Sequence, residues 1–304
     1  MRLSIVVPVW NRADRVRVAL DSASRAVADL GLEAELIVVD DASEDDAAEV
    51  VAREHPAARL LRNEVNRGFA VTANRGLAAA TGNLLLLLNS DTELGSEALA
   101  GLIRALEAEP QLDLVAPRLV DGVGGTLHSC MAFPRRATAL WFGSPLERWF
   151  PRARELRRYR LDDFDHHSRR EDLQPPAACW LLRRAAWERI GPFDEGLELF
   201  FNDVDWCRRL IGAGGRLAYL PEPTVVHHEG SSTSLRSDFV PRWHLDRLRY
   251  HRKHHGRGTA ALLKLVVTWT YLDWRVRNGL RRLGGGDAEP TAPLSRALAS
   301  FLRS

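Results

Sequence analysis

Cysteine is scarce and scattered. Cys130, Cys179 and Cys207 are the only three in 304 residues and form no CxxC pair. That excludes a disulfide framework and a zinc knuckle, and it fits a reducing, cytosolic compartment. Long apolar runs are also missing: Leu84 to Leu88 and Ala260 to Leu272 fall short of the ~20 residues a membrane-spanning helix needs. Met1 to Pro8 leads straight into a strand pattern, with no apolar leader and no small-residue cleavage site, so export is not expected. No internal repeat stands out. The net charge of +2 gives neither sign the upper hand, and with 45% hydrophobic and 27% charged residues the chain has the material for a sizeable core.

The charge that is present is unevenly placed. Residues 235–283 hold 12 Lys and Arg against 3 Asp and Glu, whereas residues 1–234 hold 28 against 35. A basic tail on an acidic body points to an anionic partner, either nucleic acid or the negative face of a membrane. No nucleic-acid motif accompanies the tail.

Short apolar runs alternate with helical patterns through the first ninety residues, as in a parallel α/β sheet. The pattern predicts strands at Leu3 to Val9, Leu36 to Val39, Leu60 to Arg62 and Leu84 to Leu88, and helices at Asn11 to Leu30, Ala47 to Glu54 and Ala70 to Ala80. Five consecutive leucines are what a strand covered on both faces looks like, so Leu84 to Leu88 should lie at the sheet's centre. A helix from Ser96 to Glu109, capped by Ser96, leads to a strand at Leu114 to Ala116. Residues 134–176 read as a long irregular insertion. Regular structure resumes with a strand at Cys179 to Leu182, a helix through Trp187, a helix at Val204 to Ala213 and a strand near Arg216. The tail is helical from Arg242, with a flexible linker from Gly284 to Pro293.

Open α/β sheets bind ligands beyond the carboxyl ends of their strands. Two such ends are acidic here. Asp40 and Asp41 follow the second strand; Asp40 suits the N3 hydrogen of a uracil or thymine ring, with capping of the next helix left to Asp41 or Ser43. Asn89, Ser90 and Asp91 follow the leucine run, where Asp91 could hold an oxygen-loving divalent ion, although such a turn is common in any protein. Between them lie Arg67 and Gly68, then Asn74 and Arg75, either a phosphate cradle or an ordinary turn with solvated arginines. Asp203 and Asp205 could equally be the favoured carboxylates of a helix N-terminus. Trp180 could stack on an acceptor sugar or sit in the core.

Taken in order, VVPVWN (Val6 to Asn11), VVDDAS (Val38 to Ser43), NRGFA (Asn66 to Ala70), LLLLNSDTEL (Leu85 to Leu94), FDEGLELFFNDVDWCRR (Phe193 to Arg209) and HHEGSS (His227 to Ser232) resemble glycosyltransferase family 2 over roughly the first 235 residues. Within it they look most like rhamnosyltransferase-type bacterial enzymes of cell-surface polysaccharide synthesis. The resemblance implies a GT-A fold, with a Rossmann-like, mostly parallel sheet flanked by helices. It divides the chain into a catalytic domain, 1–234, and a helical C-terminal extension, 235–304. Residues 1–92 would bind the nucleotide sugar and 93–234 the acceptor.

The chemistry it implies is a single in-line displacement on a dTDP- or UDP-sugar, inverting the anomeric centre. Pro8, Trp10, Asn11 and Asp40 match the nucleotide-binding segments, with Arg67, Gly68, Asn74, Arg75, Asn89 and Ser90 beside the donor. Asn89 to Asp91 matches the D-x-D motif with its first acid replaced, leaving Asp91, with His227, to hold Mn2+ or Mg2+. Asp203 matches the catalytic base, and Asn202 stands where the family usually has glutamate; Trp180, Asn202 and Asp205 would face the acceptor. The partners implied are a nucleotide-sugar donor and a glycan or polyprenyl-linked acceptor. Trp243, Tyr250, Trp269, Tyr271 and Trp274 in the basic tail suit peripheral contact with an anionic membrane at its cytoplasmic face. Two other readings stand beside this one: a catalytically impaired nucleotide-sugar binder, and a nucleic-acid-binding protein acting through the tail.

Overall fold

The computed structural model describes residues 2–228, 239–283 and 292–304. In chain order the elements are β1 (Leu3–Val9), α1 (Ala13–Asp29), β2 (Ala34–Asp40), α2 (Ala47–Glu54), β3 (Arg59–Arg62), α3 (Phe69–Ala79), β4 (Leu84–Leu88), β5 (Thr92–Glu93), α4 (Ser96–Ala108) and β6 (Leu114–Val120). Then follow α5 (Arg136–Trp141), α6 (Pro145–Trp149), α7 (Arg154–Arg160), β7 (Cys179–Arg183), α8 (Arg184–Ile190), α9 (Asn202–Gly212), β8 (Leu217–His227), α10 (Phe239–Leu283) and α11 (Ala292–Arg303).

Contacts divide the chain into two compact units. The first comprises Met1–Met131, Phe164–Glu198 and Asn202–Arg236 and holds one eight-stranded sheet, ordered β3-β2-β1-β4-β7-β6-β8-β5. Strands β3, β2, β1 and β4 run parallel, and β7 joins β4 antiparallel. The leucine run therefore lies mid-sheet with every residue buried. Leu84, Leu86 and Leu88 pack with Ile5, Val7 and residues of α1 and α4 on one face. On the other face α3 approaches so closely that a methyl group on Gly76 would collide with Val6 and Val39.

Several local expectations are corrected. Helix α1 starts at Ala13, because Asn11 and Arg12 adopt left-handed backbone with φ of 58° and 64°. Ser96 does not cap α4; its hydroxyl donates to Asp29 at 2.5 Å, and Gly95 holds the cap position. Residues 134–176, expected to be irregular, include the helices α5, α6 and α7. The two-residue β5 escaped the pattern because it spans a single period of alternation, with no repeat to recognise.

The second unit comprises Ala132–Asp163, Leu199–Phe201 and Ser237–Ser304. Its core gathers Ala139 of α5, Leu248, Ala260, Leu263 and Val267 of α10, and Phe301 of α11. Helix α10 is interrupted at Gly256, where φ is 83°. Arg247 is fully buried and donates to the carbonyls of Thr138, Ala139 and Phe142 at the C-terminal end of α5. Burial pushes its guanidinium down to about 10. The expected linker falls mostly outside the described residues.

Candidate active site

Within the first unit the carboxyl ends of β1 and β2 are tied together by side chains. The Asn11 amide donates to Ser43 Oγ at 2.8 Å, and Asn11 Oδ1 accepts from the Glu44 amide at 2.7 Å, so the ends of β1 and β2 clasp each other. Asn11, Arg12 and Ala42 all have positive φ without being glycine. Strain of this kind concentrates at functional sites, where surrounding contacts hold it in place. Pro8 is buried in β1, and Trp10 and Asn11 are half-buried just beyond it.

Asp40 is fully buried; Oδ1 accepts from the Ser43 amide and Oδ2 from Arg62 Nε at 3.1 Å. Its neighbour does different work. Asp41 does not cap α2: it accepts from Asn63 Nδ2 at 2.7 Å and from the amides of Arg67 and Gly68, both at 2.8 Å. A buried carboxylate thus fixes the turn into α3, and the turn needs glycine. Gly68 has φ of 84°, and a Cβ there would lie 2.8 Å from the Glu198 carbonyl oxygen. Arg67 and Arg75 are exposed, although Arg75 Nη1 donates to Asn63 Oδ1 at 2.6 Å. Asn74 is a buried clamp whose amide pairs with the backbone of Phe193 in both directions and with Glu195, which spends its hydrogen-bonding groups inside the protein.

The polar turn after β4 faces β8. Thr92 pairs with His227 across an antiparallel ladder, and Asp91 Oδ1 lies 3.3 Å from His227 Nε2. Both side chains are only 11% exposed, and His227 Nδ1 has no hydrogen-bond partner among the described residues. A cation bound about 2.1 Å from each of two neighbouring ligands in an octahedral shell sets them about 3 Å apart, so this pair fits one. No group of three or more His, Cys, Asp or Glu among the described residues could hold a metal; a diphosphate and water would have to complete the shell. His228 is engaged elsewhere, with Nε2 2.8 Å from Glu93 Oε1. Arg12, which sequence reasoning overlooked, has a raised pKa chiefly because Asp14 is bonded to it at 2.9 Å; burial opposes the rise, and Asp91 adds a smaller contribution to it. Its only signal in the sequence is its place beside Asn11.

Asp203 stands at the first turn of α9. Its Oδ1 accepts from the Val204 amide at 2.7 Å and Oδ2 from the Ala177 amide at 3.4 Å. Ala178, the next residue, accepts from the Asn89 amide at 2.8 Å. Asp203 is thereby linked to the turn that carries Asp91. Burial pushes its carboxyl above the usual aspartate range, and the two amides restrain the rise. Asn202 is buried and its Nδ2 donates to the Leu197 carbonyl at 3.3 Å, a bond that an ionised glutamate could not make.

The acceptor-side residues Trp180 and Asp205 do not fit the role expected of them. Trp180 is 1% exposed in β7, its ring 5.8 Å from Trp206 and 6.0 Å from Phe193, with no face left for a sugar. Asp205 is fully buried and paired with Arg209 at 2.9 Å. Both belong to the packing that supports α9.

The family model described as Glycosyl transferase family 2 matches residues 4–189. A succinoglycan biosynthesis protein, ExoO, of Rhizobium meliloti is 34% identical over 99% of this chain and 86% of its own length. An N-acetylglucosaminyl-diphospho-decaprenol L-rhamnosyltransferase of Mycobacterium tuberculosis is 26% identical over 65% of this chain and 67% of its own. Among solved structures, a mannosyltransferase of Pyrobaculum calidifontis in complex with GDP-Man and Mn2+ aligns with a TM-score of 0.53 at 18% identity, covering 100% of this chain and 81% of its own. S. aureus TarS in complex with UDP aligns equally well, at 18% identity over 99% of this chain and 71% of its own. The fold is the expected GT-A arrangement.

Proposed function

Because this chain belongs to glycosyl transferase family 2 and is a glycosyltransferase, we propose that it transfers a sugar with inversion from a dTDP- or UDP-sugar, rhamnose among the candidates, to a glycan or lipid-linked acceptor in cell-surface polysaccharide synthesis. The observation that carries the reading is Asp203: a desolvated carboxylate at the start of α9, joined through Ala177 and Ala178 to the turn that holds Asp91. A base in such a place can take the proton from an acceptor hydroxyl as that oxygen attacks the anomeric carbon. The bond to the nucleoside diphosphate breaks on the opposite side. Asp91 and His227 would hold Mn2+ or Mg2+, which when bound offsets charge on the diphosphate. Asp40 and the clasped ends of β1 and β2 would seat the base, and the Asp41-held turn at Arg67 and Gly68 would lie along the donor.

A lipid-linked acceptor, like the one in the mycobacterial relative's name, would bring the enzyme to the cytoplasmic face of a membrane by peripheral contact. The impaired-enzyme alternative loses its motive, since Asn202 is accommodated by the bond it donates to Leu197. The nucleic-acid reading loses part of its basis, since Arg247 is buried and Arg249 and Arg277 are paired with Asp246 and Asp273, and no nucleic-acid motif accompanies the tail.

The test is transfer of label from a series of nucleotide sugars to a polyprenyl-diphosphate-sugar extract, with manganese and with chelator. Metal-dependent transfer that Asp203→Asn abolishes while nucleotide still binds is the expected result. Unchanged turnover in that variant would remove Asp203 from the role of base.

A further inference from the structure

The second half of α10 leaves an apolar stripe uncovered. Leu265, Leu272, Val276, Leu280 and Leu283 are 51% to 87% exposed, and Trp269 between them is half-buried. At 100° per residue these six positions fall within about 80° of the helix circumference and run for about 28 Å. Scattered exposed leucines need no explanation, but a continuous row of them does. The stripe widens at one point. The Trp149 ring at the end of α6 lies 5.6 Å from Trp269, and Trp149 and Phe150 are themselves about half exposed, at 52% and 56%.

The charge around the row has one sign. Residues 257–283 carry six Lys and Arg and a single acid, Asp273. That acid is neutralised by Arg148 at 2.8 Å and Arg277 at 2.9 Å. Arg275 and Arg281 are exposed, on opposite sides of the stripe. No described helix is long and apolar enough to cross a membrane.

We propose that this face, with Trp149 and Phe150 at its edge, docks in the plane of a lipid surface bearing anionic headgroups. The proposal rests on the reading of a membrane-borne acceptor and names the surface that would bring the chain to it. The stripe's three-and-four spacing would also suit a coiled coil with a second copy, but two copies would set arginine against arginine along both flanks, where a pairing seam needs opposite charges. An anionic bilayer takes both features at once: the leucines enter the boundary between headgroups and chains, and the arginines stay with the phosphates. The indole rings of Trp149 and Trp269 suit the same depth. The face differs from that expected of the tail as a whole, since Tyr250, which is fully buried, belongs to the interior of the unit.

The test uses the full chain, without donor or acceptor, sedimented with vesicles of phosphatidylcholine alone and with vesicles that also contain phosphatidylglycerol. Binding should require the anionic lipid and weaken with added salt. Leu272→Glu with Val276→Glu, both at exposed positions, should lower the binding constant at least about tenfold. Val123→Glu, 94% exposed in the first unit, should leave it unchanged. Failure of the wild-type chain to sediment with anionic vesicles overturns the proposal. So does a self-associating chain that the paired substitution makes monomeric without any vesicle binding, which would assign the face to a second copy. Donor turnover in solution, measured separately, distinguishes failure of the surface from failure of the catalytic reading.

Discussion

Replacing Asp41 by alanine is the sharpest test of how the donor side is held together. The carboxylate is buried and accepts from one side-chain amide and two backbone amides, those of Arg67 and Gly68. Hydrogen bonds to a charged group contribute about 1.5 to 3 kcal/mol each, but Arg67 is exposed and water can replace part of what its amide loses. Counting one full bond and two partial ones gives a loss of about 3 kcal/mol. In a unit of this size that lowers Tm by about 6 to 12 °C. Asp41→Asn keeps the shape but turns a donor toward one of the amides, so it should fall between alanine and wild type. Glu64→Ala, on the exposed side of the same loop, should stay within about 0.5 kcal/mol. Thermal and urea unfolding of the three variants supply the comparison, and the stabilisation by added nucleotide reports whether the turn still meets the donor. If Asp41→Ala proves as stable as Glu64→Ala, the carboxylate is not what fixes the turn.

Three further outcomes follow from the site and the core. Asp203→Asn should lower kcat about a hundredfold or more. In the wild type, kcat should fall as pH drops through a carboxyl pKa above the ordinary aspartate value, since only the ionised form is a base; an acid limb at the ordinary value would contradict its burial. The same raised pKa means that the native state binds this proton more tightly than the unfolded chain does, so the group's contribution to stability is greatest in acid and is lost as pH rises through it. Asp91→Asn and His227→Ala should each weaken manganese at least about tenfold, read as loss of the metal-dependent rise in Tm with nucleoside diphosphate present; a rise equal to wild type in both would place the metal elsewhere. Gly76→Ala should cost about 1 to 3 kcal/mol in urea unfolding, because its methyl group has to displace Val6 and Val39 from the α3 contact.

What could be read from the sequence depended on how local its cause was. The leucine run announces a doubly covered strand by itself, and β4 lies mid-sheet. The two acids after β2 look alike in the sequence, yet Asp40 turns to Ser43 and Arg62 while Asp41 turns to the α3 loop. That division depends on a left-handed Ala42 which no propensity favours. Near their motifs, Trp180 suits either a sugar face or the core and Asn74 either a donor cradle or an ordinary turn, and the sequence alone does not choose. Their burial is decided by Phe193 and Trp206, which are remote in sequence from Asn74 and come into contact only through long-range packing. The pairing of Asp91 with His227 depends on the two-residue β5, too short to show a repeat, and is implied in the sequence only by the resemblance of the ordered motifs.

Arg247 has a practical consequence for anyone who wishes to trim the chain. It reaches from the tail to the last carbonyls of α5, a hundred residues earlier, in a unit assembled from three separate stretches of sequence. Cutting the polypeptide after the final strand would strip α5 of its buried cation and Ala139 of its apolar neighbours, leaving residues 132–163 with a raw surface and unsatisfied acceptors. Such a fragment should precipitate or be degraded, and its inactivity would say nothing about the sugar chemistry.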